Sequence, residues 1–265
     1  MSEEKKPVAT PLPAATILLL RDAPGGLEVF MVKRHHQIDF VAGALVFPGG
    51  RVDKGDSNPE LAQYADGGKD WSDVMRAIGA AAIREAFEES GILLARDART
   101  GKHVTAERLL ELDPYRKQLD KREIGLADML KKEQLKLAFD ELVHFAHWIT
   151  PENMPKRFDT HFFLAKAPMS HEGSHDGRET VDSIWITPGG AIADRKKWNV
   201  IFPTKCNLMK LDESKSVDAA LKTARATKPL PVTPWLEQGP NGQILRIRND
   251  AGYTQTTANM RDEGP

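Results

Sequence analysis

Three glutamates at helical spacing constrain this chain more than any other feature of its sequence. Glu85, Glu88 and Glu89 follow Arg84, and Gly91 ends the segment, which gives the pattern R-E-x-x-E-E-x-G. Residues three or four apart are neighbours on a helix, so these carboxylates converge and repel one another. Mg²⁺ takes oxygen ligands and shares its coordination shell with water and substrate phosphates. The pattern therefore favours a divalent-cation site over a solvated acidic helix end.

A glycine-rich turn lies ahead of this helix. Residues 44–47 form an apolar run that leads through a proline into Gly49 and Gly50. Glycine lets a backbone approach a ligand closely and adopt conformations closed to other residues. The turn and the helix together resemble the Nudix box, with Gly50 as its opening glycine and Gly91 and Ile92 at its close.

Two features depart from the usual box. Asp56 stands where the box normally has a glutamate, and residues 57–83 replace a much shorter spacer ahead of Arg84. We predict that residues 57–72 form a polar insertion loop. The departures leave the glutamate face intact, and they leave the roles of Asp53 and Asp56 open.

The resemblance implies an α/β fold, a Nudix-type α/β/α sandwich with a mixed sheet. It also implies hydrolysis of a diphosphate linked to another moiety, with Mg²⁺ or Mn²⁺ bound by Glu85, Glu88 and Glu89. Phosphoryl transfer depends mostly on positioning and on charge stabilisation, so the side chains of the protein need to do little covalent chemistry. Arg84 is expected to orient the glutamates through an ion pair.

A distal acidic residue joins the metal cluster or acts as the base in Nudix proteins. The polar loop 171–179 precedes a predicted strand and carries acidic side chains. Glu179 is the first candidate for this catalytic role and Asp182 is the second. A solvent-facing position is the alternative for both residues.

The residues before the box indicate a substrate class. Arg34 and Gly43, followed by Phe47, Gly49 and Gly50, resemble the signature of coenzyme A diphosphatases. A planar guanidinium binds phosphate oxygens bidentately, so Arg34 is a candidate phosphate ligand, with a surface ion pair as the alternative. The resemblance implies that all five residues contribute to substrate binding.

Other positions extend or weaken that resemblance. His35 stands where Ser or Ala is usual, and Asp39 replaces a second arginine and reverses its charge. Downstream, residues 148–151 and 157–163 resemble the peroxisomal-type branch of these enzymes, which also carries an insertion inside the box. Arg157 begins the second of these segments and is predicted to bind substrate, or else to form a salt bridge at the end of a strand.

Coenzyme A or an acyl-coenzyme A is therefore the expected substrate. The products would be 4′-phosphopantetheine, or its acyl form, and adenosine 3′,5′-bisphosphate. Two rival functions stay open. A Nudix hydrolase of ADP-ribose or a nucleotide sugar would accommodate His35 and Asp39, and a Nudix-fold nucleotide sensor would bind its ligand without cleaving it.

Composition excludes several other classes of function. A formal net charge of −1 over 265 residues supplies no basic field for nucleic acid or for an acidic membrane surface. Cys206 is the single cysteine, so an intrachain disulfide is impossible and a reducing, cytoplasmic compartment is expected. No apolar run is long enough to span a bilayer. We expect a small nucleotide-type substrate, no nucleic-acid or membrane partner, and a homodimer as a possible assembly.

Hydrophobic periodicity predicts the elements of the fold. Strands are predicted at residues 14–20, 28–33, 41–47, 142–149, 160–165, 183–186 and 243–247. Helices are predicted at 73–90, with Asp73 as the N-terminal cap and Gly91 as the stop, near 189–193 and at 217–226. Residues 105–142 are predicted to form two or three helices, interrupted at Pro114 and Gly125, that serve in packing, with a lid or a dimer surface as the alternatives.

These elements suggest how the chain is divided. We predict a disordered N-terminus over residues 1–13 and a Nudix domain over 14–204, the latter with a helical insertion at 105–142. Residues 205–265 are predicted to be a C-terminal extension that serves as a cap, a dimer arm or a partly disordered tail. The histidines His35, His36, His147 and His161 lack zinc-ligand spacing with a cysteine or with one another, and are predicted to be ordinary polar residues.

Overall fold

A long hairpin begins the fold, as the alternation of apolar runs and a turn predicts. The structure, a computed structural model, describes residues 8–35, 43–169, 171–177, 180–194, 197–240 and 242–261. The first two strands, Leu12–Ala23 and Gly26–Arg34, are antiparallel, with Leu20 opposite Val29. Residues 1–7 of the segment predicted to be disordered lie outside the described residues. The prediction is wrong for Leu12 and Pro13, which belong to the first strand.

The described residues form fourteen strands and seven α-helices. The strands are β1 (Leu12–Ala23), β2 (Gly26–Arg34), β3 (Leu45–Val46), β4 (Gly49–Arg51), β5 (Ala65–Asp66), β6 (Ala95–Asp97), β7 (Leu135–Ala138), β8 (Val143–Ile149), β9 (Phe158–Lys166), β10 (Thr180–Ile186), β11 (Pro231–Val232), β12 (Trp235–Gly239), β13 (Gly242–Arg246) and β14 (Thr257–Asn259). The helices are α1 (Asp73–Ser90), α2 (Ala106–Leu112), α3 (Pro114–Asp120), α4 (Leu126–Glu133), α5 (Pro188–Ala193), α6 (Phe202–Asp212) and α7 (Val217–Arg225).

A mixed sheet of eight strands forms the centre of the molecule. Its order is β10-β2-β1-β9-β8-β11, with β3 paired to β2 and β4 paired to β1. β1 and β9 are parallel, whereas β8 and β9 are antiparallel. Two three-stranded sheets, β5-β7-β6 and β12-β13-β14, lie beside it. Because β4 pairs with the start of β1, the Gly-Gly turn is held against the middle of the large sheet.

Helical layers cover both faces of this sheet. Alternate residues of a strand point to opposite faces. On one face Ala15, Ile17 and Leu19 pack with α1 and with helices α2 to α4. On the other face Leu18 and Leu20 pack with residues of α5, α6 and α7. The predicted α/β/α sandwich is confirmed.

Helix α1 spans the predicted residues 73–90, and both of its ends are capped. Ser72 is the N-cap, because its Oγ accepts a hydrogen bond from the backbone N–H of Met75 at 3.2 Å. The prediction that Asp73 caps the helix is therefore wrong by one residue. Gly91 ends the helix as predicted, in the left-handed conformation with φ of 67°.

The inserted residues 57–72 have more structure than the predicted loop. Two 3₁₀ turns, Lys54–Ser57 and Pro59–Tyr64, lead into β5, and Leu61 is buried between them and the core. β5 pairs in parallel with β7. The insertion is thus anchored by an apolar side chain and by a strand, which its polar composition hides.

Residues 105–142 contain three helices with breaks at Pro114 and Gly125, as predicted. Pro114 is the first residue of α3, and Gly125 is the N-cap of α4. The prediction is wrong for residues 135–138, which form β7 instead of continuing the helix. Gln134 adopts a positive φ of 54° directly after α4, and this turns the chain into the strand.

Two other predicted elements change at their bounds. The strand predicted at 41–47 is limited to Leu45–Val46 among the described residues, and residues 41–42 lie outside them. Two elements of the C-terminal extension were predicted: helix α7, and the strand at 243–247, which is β13. Helix α6 was not predicted. None of the helices formed by the described residues has the length and apolar character to cross a membrane.

Candidate active site

The glutamates of α1 lie directly against the Gly-Gly turn. The backbone N–H of Gly49 donates a hydrogen bond to Glu89 Oε2 at 2.9 Å. A Cβ atom at Gly50 would lie 2.4 Å from Glu85 Oε1, so no larger residue fits there without displacing the carboxylate. The close approach predicted for these glycines is thus an approach to the acidic helix.

Arg84 is buried among the acidic side chains and connects them. Its Nε and Nη2 donate to the two oxygens of Asp56 at 2.9 and 3.0 Å, and Nη2 also donates to the Arg51 carbonyl at 3.0 Å. Its Nη1 lies 2.9 Å from Glu85 Oε1 and 3.2 Å from Glu88 Oε1. Burial disfavours the charged guanidinium, but the carboxylates of Glu85 and Asp56 outweigh this and raise the pKa of Arg84.

The structure gives Asp56 and Asp53 different roles. Asp56 is buried, and it accepts the Asp53 backbone N–H at 2.7 Å in addition to the guanidinium of Arg84. Asp53 accepts two hydrogen bonds from Arg122, at 2.7 and 2.9 Å. The hydrogen bond from Arg122 holds the pKa of Asp53 below its ordinary value. Asp56 therefore positions Arg84, whereas Asp53 ties the turn to the segment after α3.

The charge of the cluster suits a divalent cation. Burial raises the pKa of Glu88 to about 8, and the nearby carboxylate of Glu85 adds to the shift against the opposing effect of Arg84. A single arginine thus leaves negative charge on the cluster that is costly to bury. The donor set consists of carboxylate oxygens, which are the ligands that Mg²⁺ and Mn²⁺ prefer. The three glutamates fit such an ion.

A cleft of about 1250 Å³ opens in front of the glutamates. Its walls come from the sheet, from α1 and from the segment of α3 and the residues after it. Basic side chains are abundant in this lining, and they are Arg34, Arg51, Arg84, Arg116, Lys117, Lys121, Arg122 and Lys156. A cleft that combines a carboxylate cluster with many cationic groups is suited to a polyanion that carries a divalent cation.

Arg34 reaches this cleft from the end of β2. Its backbone N–H donates to the Ala44 carbonyl at 3.0 Å. The Nε atom of its side chain is buried and has no hydrogen-bond partner within the part of the chain that the structure describes. A buried guanidinium nitrogen without a partner is costly, and an anionic ligand would satisfy it.

The structure brings most of the predicted site residues together. Arg84, the three glutamates, Gly49, Gly50 and Arg34 all line the cleft. Phe47 does not, because its ring is buried in the core on the other face of the sheet. Gly43 is also absent from the lining and adopts a positive φ of 70°, which indicates a role in the turn.

Arg157 and Asp182 differ from expectation, and Glu179 stays untested. Arg157 donates from Nε to the Thr150 carbonyl at 3.0 Å and from Nη1 to the Ala9 carbonyl at 2.9 Å, and it does not line the cleft. Its guanidinium binds backbone carbonyls next to β9, and within the described ranges it makes neither the predicted cleft contact nor an ion pair. Glu179 lies outside the described residues. Asp182 is exposed on β10 and is not part of the cleft lining.

Sequence reasoning missed the contribution of α3 and of Asp176. Asp176 lines the cleft, and its Oδ1 accepts hydrogen bonds from the Thr180 N–H at 2.9 Å and hydroxyl at 2.6 Å. Arg116 donates to the Glu88 carbonyl at 3.2 Å and to the Ser174 carbonyl at 3.0 Å. The polar loop 171–179 gave a signal for Asp176. No sequence signal distinguished Arg116 from the many other charged residues of the insertion.

Comparison with known proteins gives a consistent result. The family model of the NUDT19 Nudix domain matches residues 67–205. The acyl-coenzyme A diphosphatase NUDT19 of Xenopus laevis is 26% identical over 215 residues, which are 66% of this chain and 57% of the relative. The putative nudix hydrolase 7 of Caenorhabditis elegans is 30% identical over 207 residues, or 77% of this chain and 62% of the relative. The aligned region thus spans about three fifths of the length of these curated relatives.

A solved structure shares the fold. The crystal structure of a NUDIX hydrolase from Alicyclobacillus acidocaldarius superposes with a TM-score of 0.67 at 26% sequence identity. The superposition covers 80% of this chain and 96% of that one.

Proposed function

Because the chain belongs to the Nudix hydrolase family, in the coenzyme A diphosphatase branch, we propose that it hydrolyses the diphosphate linkage of coenzyme A or an acyl-coenzyme A with Mg²⁺ or Mn²⁺. Water attacks one phosphorus of the linkage, and the phosphorus–oxygen bond to the bridging oxygen breaks. The products are 4′-phosphopantetheine, or its acyl form, and adenosine 3′,5′-bisphosphate.

One observation carries this proposal above the others. The carboxylate helix opens onto a cleft whose lining also holds eight arginine and lysine side chains among the described residues. Four of them, Arg84, Arg116, Lys121 and Arg122, form ion pairs with carboxylates, and the others are Arg34, Arg51, Lys117 and Lys156. Coenzyme A bears a diphosphate and a separate 3′-phosphate, so it needs cationic groups beyond those that a diphosphate alone requires. The Nε of Arg34, which has no hydrogen-bond partner among the described residues, supports a phosphate contact at that end of the cleft.

The glutamates would hold the cation, and Arg84 would hold the glutamates. A bound Mg²⁺ or Mn²⁺ neutralises diphosphate charge and lowers the pKa of water. Glu85, Glu88 and Glu89 supply oxygen ligands from one helix, and the bonds from Arg84 to Glu85 and Glu88 limit the rotamers of those side chains. Asp56 fixes Arg84 from behind, so the ligands are positioned before the substrate arrives.

A carboxylate outside α1 would take the proton from the attacking water. Glu179 is the residue that the family resemblance implies, and it lies outside the described residues. Asp176 belongs to the same loop and lines the cleft, with its Oδ1 fixed by Thr180. The variants Glu179→Gln and Asp176→Asn distinguish the two candidates. We expect the variant that lacks the base to hydrolyse the substrate more slowly at every cation concentration.

Product analysis tests the proposal. Purified protein with Mg²⁺ is offered coenzyme A, an acyl-coenzyme A, ADP-ribose and a nucleotide sugar in parallel, and products are identified by liquid chromatography and mass spectrometry. We expect adenosine 3′,5′-bisphosphate from the coenzyme A substrates at the highest rate. Preferred cleavage of ADP-ribose or the sugar nucleotide would contradict the substrate assignment. Binding without cleavage of any compound, with Mg²⁺ or Mn²⁺, would contradict hydrolysis itself.

A further inference from the structure

Three histidines and an aspartate meet on one face of β8 and β9, away from the cleft. His144 and His147 are three apart, so on a regular strand their side chains would point to opposite faces. The register of β8 against β9 shifts between His144 and Ala146, and this bulge returns both histidines to one face. On β9, His161 lies directly opposite His147, and Asp159 precedes it by two residues on the same face.

The side chains of this cluster are in mutual contact. The rings of His147 and His161 stack with centroids 4.0 Å apart, and His144 stacks on His161 at 5.0 Å. His147 Nε2 hydrogen-bonds to Asp159 Oδ1, and His161 Nε2 lies 3.9 Å from the same oxygen. One ligand atom from each of His147, Asp159 and His161 falls within 4.8 Å of the others.

We propose that His147, His161 and Asp159 form a transition-metal site that takes Zn²⁺. Two imidazoles and a carboxylate are one of the donor sets of three-ligand zinc sites, in which the fourth position holds water. Ligand atoms around a tetrahedral zinc ion lie about 3.3 Å apart, given bond lengths near 2.0–2.1 Å. To reach this spacing the 3.9 Å separation between His161 Nε2 and Asp159 Oδ1 would contract, and the hydrogen bond between His147 Nε2 and Asp159 Oδ1 would open as the ion takes its place.

His144 supports the site from outside the ligand set. Its Nε2 lies 3.1 Å from Nδ1 of His161. A hydrogen bond from Nδ1–H of His161 to this atom leaves the lone pair of His161 Nε2 facing Asp159. A metal-binding histidine usually donates its other N–H to such a partner, which fixes its tautomer and ring orientation.

The site is separate from the glutamate cluster in place and in chemistry. Phe158 and Thr160 of β9 line the cleft, whereas the alternating residues Asp159 and His161 do not. Imidazole ligands favour Zn²⁺, and an all-carboxylate cluster favours Mg²⁺ or Mn²⁺. The ion would bridge β8 and β9 and stabilise their pairing, and β9 contributes Phe158 and Thr160 to the cleft lining. This proposal differs from the prediction that His147 and His161 are ordinary polar residues, which stays untested.

Zinc titration of the full chain tests this proposal. Chelator-treated protein is titrated with Zn²⁺ by calorimetry in saturating Mg²⁺, and Co²⁺ is used in parallel because its visible absorption reports coordination. We expect one Zn²⁺ per chain and a raised Tm. His147→Gln and His161→Asn should abolish this binding, and His144→Gln should weaken it by about 10- to 100-fold.

Two controls separate this site from other sources of zinc binding. His175→Gln removes an exposed histidine outside the cluster, and Glu88→Gln alters the acidic cluster, so both should keep the zinc affinity of the wild-type chain. Loss of zinc binding in Glu88→Gln with retention in the histidine variants would overturn the proposal, as would absence of a site in the wild-type chain. If the histidine variants do not fold, X-ray absorption of the zinc-loaded wild-type chain decides: scattering from two imidazoles supports the proposal, and an all-oxygen shell overturns it.

Discussion

Arg84 is the residue around which the acidic side chains of the cleft are arranged. It contacts Asp56, Glu85 and Glu88 from a buried position, so the cluster contains its own counter-charge. The sequence predicted this ion pair with the glutamates. It did not predict the partner Asp56, because the long insertion separates Asp56 from the helix and hides their contact.

Asp56→Asn tests the positioning role at the residue scale. The change keeps the shape of the side chain and leaves the buried guanidinium without its bidentate partner, so we expect a loss of roughly 3–5 kcal/mol in the free energy of unfolding. Urea denaturation measures the loss. The matched control is Asp70→Asn on the exposed surface, which should change stability little. An Asp56→Asn protein as stable as that control would contradict the assignment.

The raised pKa of Glu88 predicts how the stability of the chain depends on pH. Burial raises this pKa to about 8 from its ordinary value of 4.5, so between these two pH values the metal-free folded state keeps a proton that the unfolded state loses. The free energy of unfolding therefore falls as pH rises from about 4.5 to about 8. With EDTA present, Glu88→Gln should have a higher Tm than the wild-type chain at pH 8, and the difference should shrink toward pH 4.5. A difference that does not depend on pH would contradict this account.

At the scale of elements, helix α1 and segment α3 position the two sides of the cleft. The bounds of α1 were predictable because three signals indicate the same helix: the periodicity of its apolar face, the polar residue at its start and the glycine at its end. The role of α3 was not, because its leucine and tyrosine face the core while its charged residues face the cleft, and sequence alone does not show what lies opposite. β7 was mistaken for helix because Leu135, Leu137 and Ala138 all favour helices, and pairing with β5 and β6 overrides that preference.

Gly91→Ala tests the end of α1. Gly91 has φ of 67°, and a Cβ there would lie 3.1 Å from Arg116 Nη1. A left-handed conformation costs an L-residue roughly 1–2 kcal/mol, so we expect a destabilisation of that size. Gly25→Ala is the control, because a Cβ at Gly25 has open space around it. Thermal or urea unfolding compares the two, and equal stabilities would show that the cap contributes nothing.

At the scale of the whole molecule, the C-terminal residues complete the sandwich. α6 and α7 bury Leu208, Leu211 and Leu221 against the face of the sheet opposite α1. The sequence did not reveal α6 because Asn207 interrupts its apolar pattern. That side chain is buried and accepts a hydrogen bond from the Tyr253 hydroxyl at 2.9 Å, a partner 46 residues away. The predicted homodimer stays a prediction.

Leu208→Ala tests this integration. Leu208 is fully buried, and removing its side chain should cost about 2–5 kcal/mol through lost burial and the cavity left behind. Leu230→Ala, at an exposed leucine, should cost far less. Denaturant unfolding followed by circular dichroism measures both. If Leu208→Ala were as mild as Leu230→Ala, residues 205–265 would not share the core of the rest of the chain.

The central claim is tested most directly by measuring the rate at which the protein releases adenosine 3′,5′-bisphosphate from coenzyme A. The wild-type and Glu88→Gln proteins are compared at saturating Mg²⁺. Glu152→Gln, at an exposed glutamate outside the cleft, serves as the matched control. We predict that the wild-type and control proteins release the product and that Glu88→Gln loses several orders of magnitude in rate while its circular dichroism stays native. Equal rates in all three proteins would contradict the assignment of the glutamate helix as the metal-binding centre of a diphosphate hydrolase.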